Sequence, residues 1–178
     1  MPTELSTRAS SLDTAPKEHA DKPFFDETVT LLRAVRDHDF ETLAGLCDDD
    51  FGIVDIAPDG SGVPIRTRLE WEAWFRDSLF PKLEEMGADT DSEILGYEAL
   101  RRGDLGYGVL DFRQTLTVAG LVATFDCIAT LIWKKTPTGW VESRWHCSVI
   151  SSHVPESLQA PTTDDAMIAG DAEGQIDV

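Results

Sequence analysis

The sequence predicts an α+β fold: three N-terminal helices packed as one layer on a curved, mostly antiparallel sheet, forming a cone-shaped single domain. Three observations predict it. Apolar residues recur at helical spacing up to Met86, interrupted by one short strand. After Gly87 the period becomes two and stays two through Ser151. The strands of that second half are separated by short turns rich in Gly and Pro, so they pair with their sequence neighbours. The chain has 178 residues and is 42% hydrophobic, which suits one domain with a real core.

Met1 to Lys22 is rich in Ser, Thr, Ala and charge and has no periodicity, so residues 1–22 read as a flexible arm. The domain starts at Pro23. Phe25, Val29, Leu32 and Val35 recur at helical spacing, and Pro is favoured in a first turn, which predicts a helix over Pro23 to Asp37. Asp39 can cap a short second helix carrying Phe40, Leu43 and Leu46. The run Asp48-Asp49-Asp50 reads as a solvated turn, because it lacks the alternating ligands, glycine and terminal Glu of a calcium loop. Phe51 to Ala57 reads as a strand, and Pro58 to Gly62 as a turn.

Thr67-Arg68-Leu69-Glu70 is a capping box, since the hydroxyl and the carboxylate can each satisfy an orphan amide of the first turn. The helix behind it carries Trp71, Trp74, Phe75, Leu79, Leu83 and Met86 on one stripe, with Pro81 expected to kink or end it. Strands follow at about Ser92 to Leu100, Gly106 to Val118, Leu121 to Lys134 and Trp140 to Ser151. Ala119-Gly120 and Thr136 to Gly139 are hairpin turns, so the last three strands form a meander. A single helix layer on a curved sheet leaves a cone with an open mouth. The domain spans residues 23–154, and residues 155–178 read as an acidic disordered tail.

The formal charge is −18, and the tail from Glu156 holds six acids and no Lys or Arg. Such a surface repels nucleic acid and anionic membranes, which excludes DNA binding. No run approaches the roughly 18 apolar residues of a membrane helix, and the N-terminus has no signal-peptide core, so the expectation is a cytoplasmic protein. Cys47, Cys127 and Cys147 make an odd count without a C-x-x-C pair, which argues against a disulfide framework and a zinc site. The four histidines lack metal spacing, so no metal is expected. There is no Gly-rich phosphate loop and no nucleophile motif, so no cofactor is expected either.

Two segments carry a family resemblance: His38-Asp39-Phe40-Glu41-Thr42 with Cys47-Asp48, and Trp140-x4-Trp145-His146-Cys147-Ser148. In their order and spacing they resemble the nuclear transport factor 2-like (SnoaL-like) superfamily, with the closest look to the association domain of calcium/calmodulin-dependent protein kinase II. Glu27 to Ile56 also resembles ketosteroid isomerase. The resemblance covers about Pro23 to Ser152 and implies a cone with an interior pocket. Fold analogy alone does not transfer function.

Asp55 is the first candidate for chemistry. On an alternating strand it shares a face with Phe51 and Ile53, and a carboxyl desolvated there suits proton transfer. The resemblance to ketosteroid isomerase implies the general-base role for the same residue. The structural alternative is that Asp55 ends the strand or accepts backbone hydrogen bonds. The isomerase's tyrosine falls at Leu31 here, and its second acid near Thr130 or Leu131, so its oxyanion donors are missing. The association domain's pocket arginines fall at Phe112 and Leu131, which makes this pocket more apolar than either relative.

The expected walls are Trp71, Trp74 and Phe75 from the third helix with Phe112, Phe125, Leu131 and Trp145 from the sheet. The same aromatic stripe also serves plain core packing. On the last strand, Glu142, Arg144, His146 and Ser148 form a polar row opposite Val141, Ser143, Trp145, Cys147 and Val149. Alternation sends the polar row outward, toward a homodimer interface or solvent. Only the opposite orientation would give His146 an acid-base role beside Arg144. Two functions remain open. One is a cofactor-independent isomerase, cyclase or dehydratase acting on a small hydrophobic metabolite through Asp55. The other is a non-catalytic association or ligand-binding module that dimerises or forms larger homo-oligomers.

Overall fold

The computed structural model describes residues 10–56 and 62–158, with the backbone alone at 54–56. The helix layer comes first. Helix α1 spans Phe25–Arg36 and turns Phe25, Thr28, Val29, Leu31, Leu32 and Ala34 inward. It starts two residues later than its sequence suggests, because Phe24 adopts a left-handed φ of 63°. That turn places the Phe24 ring between Trp133 and Trp140, with centroids 5.7 and 4.9 Å away. Helix α2 spans Phe40–Gly45, and Asp39 caps it by accepting from the Thr42 amide at 3.1 Å.

Helix α3 (Arg68–Glu72) begins at the Thr67 capping box, in which Glu70 accepts from the Thr67 amide. It runs into a π-helical stretch, Ala73–Leu79, and then into helix α4, Phe80–Glu85. Pro81 therefore does not end the helix, which continues through it to Glu85. It lacks an amide for an α-type bond, and the wide turn before it, in which the Phe80 amide reaches Phe75 O, absorbs the mismatch.

The sheet has six strands: β1 Cys47–Ile56, β2 Gly62–Ile65, β3 Ala88–Arg102, β4 Leu105–Val118, β5 Leu121–Thr136 and β6 Gly139–His153. Their order is β2-β1-β6-β5-β4-β3. The meander β3 to β6 is antiparallel, as the hairpin turns require, and Ala119 and Gly120 both have positive φ. β1 joins β6 in parallel, which closes the cone over the helix layer. The core forms between the helices and the inner sheet face, where Leu110, Leu131, Trp133 and Trp71 are fully enclosed.

Three expectations need correction. The acidic run is not a turn: Asp48 to Asp50 belongs to β1. Bases on β5 and β6 meet its charges, Asp48 meeting Lys134 at 2.9 Å and Asp50 meeting Arg144 at 3.6 Å. The short strand β2 pairs with the end of β1, where no strand was expected. The expected turn residues 58–61 and tail residues 159–178 lie outside the described residues.

The third correction concerns the arm. Residues 10–22 are not a free arm but two 3-10 turns, Ser11–Thr14 and Lys17–His19, docked on the domain. Leu12 is 0% exposed, its carbonyl accepts from Arg33 at 2.9 Å, and Ser10 donates to Asp91 at 2.6 Å. The buried leucine and the long-range polar contacts hold the segment against β3 and α1.

Candidate functional site

The inner sheet face and the helices enclose a cavity of about 130 Å³. Leu31, Leu32 and Val35 of α1 line one side, and Trp71, Phe75, Leu79 and Leu83 of the third helix another. The sheet contributes Phe51 and Ile53 of β1, Phe112 and Leu116 of β4, and Phe125 of β5. Polar side chains are few: Cys47, Thr90, Ser92, Gln114, Glu142 and the indole of Trp145. Three of these, Ser92, Gln114 and Cys47, have hydrogen bonds within the protein. Ser92 donates to Gln114 at 2.7 Å, and the Cys47 thiol donates to Leu43 O at 3.3 Å. Trp145 Nε1 is buried without a hydrogen-bond partner, as is Thr90 Oγ1.

Glu142 is the residue whose place the sequence misassigns. Strict alternation would put it outward with Arg144. Instead it is 1% exposed and lines the cavity. The cause is a bulge. Trp133 pairs with Glu142, but the next residue back on β5, Ile132, pairs with Arg144, so Ser143 is an extra residue in β6. One extra residue reverses the facing of everything on its far side. The Glu142 amide donates to Leu46 O at 2.7 Å, which ties β6 to the end of α2.

Cys47 lies opposite Glu142 across the parallel β1–β6 pair. Burial pushes the Cys47 thiol far up, and the neighbouring Glu142 charge pushes it further, while Arg68 opposes both. Arg68 is fixed by four acceptors: Cys47 O, Asp48 O, Ala44 O and the Glu72 carboxylate, at 2.8 to 3.2 Å. Its guanidinium also lies over the Trp71 ring at 5.0 Å. The arrangement is a mostly apolar chamber with a carboxyl group in its wall. Such a group can accept a hydrogen bond or carry a proton.

Five of the expected wall residues line the cavity: Trp71, Phe75, Phe112, Phe125 and Trp145. Trp74 and Leu131 do not. Trp74 lies half-buried in the π-helical stretch, and the Leu131 side chain is fully enclosed in core packing. Asp55 sits on β1 with its backbone paired to Val63, and alternation places position 55 on the face of Phe51 and Ile53. Its side chain lies outside the described residues.

The polar row splits. Arg144, His146 and Ser148 are exposed on the outer sheet face, so only three of the four expected interface residues lie there. His146 pairs with Thr130 and takes no part in the cavity, which removes it as an acid-base candidate. Arg144 donates to Asp50 O and to Ser143 O. Glu142, Cys47 and the Thr90, Ser92 and Gln114 group were not foreseen in the site. For the last three the signal was available, since small polar residues sit among apolar ones on β3 and β4.

No family model matches the sequence, and no curated protein matches it. Solved structures do. A hexachlorocyclohexane dehydrochlorinase, LinA-type3 from Novosphingobium barchaimii LL02, is similar at a TM-score of 0.59 and 12% identity, over 77% of this chain and 90% of that one. An NTF2-like protein with a cystatin-like fold from Novosphingobium aromaticivorans is similar at 0.55 and 15%, over 71% and 82%. The association domain of C. elegans calcium/calmodulin-dependent protein kinase II is similar at 0.54 and 20%, over 76% and 98%. These likenesses show the fold: the chain has the NTF2-like, cystatin-like α+β architecture that its sequence resembles.

Proposed function

We propose that the chain holds a small hydrophobic molecule inside the cone and performs cofactor-independent proton transfer on it, of the isomerase, cyclase or dehydratase type. The cavity of about 130 Å³ with its apolar walls carries this reading. Its size is close to that of an engineered protein cavity of roughly 150 Å³ that binds benzene or xenon. Asp55 is the group proposed to move the proton, on its place in β1 beside Phe51 and Ile53. A dehydrochlorinase among the structural neighbours is in keeping with small-molecule chemistry on this fold.

Two measurements test it. Xenon should enter the folded protein and shift its own NMR resonance, and exclusion of xenon would remove the pocket. Hydrogen–deuterium exchange at carbon in a panel of single-ring ketones and phenols should be accelerated, and Asp55→Asn should abolish the acceleration. Undiminished exchange in that variant would remove Asp55 from the chemistry.

A second reading is association through the outer sheet face. Leu100, Leu105 and Tyr107 are exposed there beside the Arg144, His146 and Ser148 row. Kinase association domains among the neighbours support it. A homodimer or larger homo-oligomer is expected in sedimentation velocity at micromolar concentration, and a monomer would count against the reading.

A further inference from the structure

We infer that Gln114 is the residue by which the cavity recognises its ligand, a single-ring molecule carrying a carbonyl or ether oxygen that accepts a hydrogen bond from Gln114 Nε2. The inference rests on the reading of the cone as a small-molecule pocket. It adds the chemical class of the ligand and the side chain that reads it.

Few polar side-chain atoms of the wall are open to a ligand. Trp145 and Thr90 line the cavity, but Trp145 Nε1 and Thr90 Oγ1 have no surface open to it. The Cys47 thiol donates to Leu43 O, and Glu142 is 1% exposed. Gln114 differs from these, because it lines the cavity and is only half-buried.

The strand register fixes where its amide stands. Gln114 lies on β4 between Phe112 and Leu116, two wall residues, so alternation turns it to the inner face. Ser92 stands opposite it on β3 and donates to Gln114 Oε1 at 2.7 Å. Ser92 is 4% exposed, so water does not compete well for that bond. The other end of the amide points at Thr115 O at 3.4 Å, a contact that suits a nitrogen and would repel an oxygen. The acceptor of the amide is therefore engaged, and its donor end is the one left over.

A primary amide nitrogen carries two hydrogens. A single contact at the long limit of hydrogen bonding leaves at least one of them for a ligand. A hydrocarbon packed against that N–H would strip it of water and give nothing back, which is costly. A carbonyl or ether oxygen satisfies it and brings no hydrogen of its own to place. The rest of the wall is mostly apolar, and about 130 Å³ leaves room for one ring.

Cyclohexanone and methylenecyclohexane have nearly the same shape and differ in whether the exocyclic group can accept. Binding of each to the full chain is followed by intrinsic tryptophan fluorescence. Gln114→Met keeps the length of the side chain and removes the amide. It should weaken cyclohexanone about fivefold, the scale of one net hydrogen bond, and leave methylenecyclohexane unchanged. The infrared carbonyl band of cyclohexanone bound to the unmodified chain should lie below its position in a hydrocarbon solvent. An equal effect of the substitution on both probes, or none on either, would overturn the inference while xenon entry left the pocket standing. An unshifted carbonyl band would overturn it too, and that result holds even where the variant fails to fold. Exclusion of both probes together with xenon would overturn the pocket reading as well.

Discussion

Glu142 and Trp145 stand on one face of β6 although three positions separate them, a spacing that an unbroken strand would send to opposite faces. The extra residue, Ser143, joins them. It brings a carboxyl group into a wall that is otherwise mostly apolar.

Leu12 is enclosed although only a short segment carries it. Leu12→Ala should cost about 2–3 kcal/mol, the lower part of the range for buried leucines. A change below about 0.5 kcal/mol in denaturant melts would mean that residues 10–22 are detached in solution.

Tyr97 is buried under the docked segment, and its hydroxyl donates to Pro23 O at 2.9 Å. Burial pushes its phenol up to about 12, against a hydrogen bond with Thr28 that pulls it down. Above about pH 10 the unfolded chain releases a proton that the folded chain keeps. The unfolded state then binds fewer protons, so stability falls as pH rises from about 10 to 12 and is fully present below that window. Stability measured across this range should show the decline, and Tyr97→Phe should flatten it.

Gly106 packs against Phe24 so closely that an added Cβ would land on the ring. The ring itself is held by Trp133 and Trp140 and has little room to move. Gly106→Ala should cost about 1–3 kcal/mol by overpacking. A thermal midpoint unchanged from the parent would show that the aromatic cluster can give way.

Cys47, Cys127 and Cys147 are all buried, and burial holds the Cys47 thiol in its protonated, unreactive form. A thiol reagent should label none of them within minutes at neutral pH and all three in denaturant. Rapid labelling of the native protein would reveal local opening of the cone.

Much of the fold is legible in the sequence because its signals are local. Period-two runs mark β3 to β6, Asp39 and Thr67 cap their helices, and Ala119-Gly120 sets a tight hairpin. The aromatic stripe of the third helix likewise announces a wall, since Trp71 and Phe75 are brought together by helical spacing alone. Leu131 and Trp74 carry the same apolar signal and stand outside the cavity, because periodicity tells which face is buried and not which buried atoms border a void.

What the sequence by itself determined is therefore the α+β class, the meander and the apolar character of the interior, each set by interactions between residues near in the chain. Tertiary structure alone decided three things. Asp48 to Asp50 joined a strand, where Lys134 and Arg144 from β5 and β6 meet its charges. Residues 10–22 became ordered because β3 and α1 offered Asp91 and Arg33. Glu142 entered the cavity because one residue bulged against β5. In each case the deciding partner lies far along the chain, where neither period nor propensity reaches.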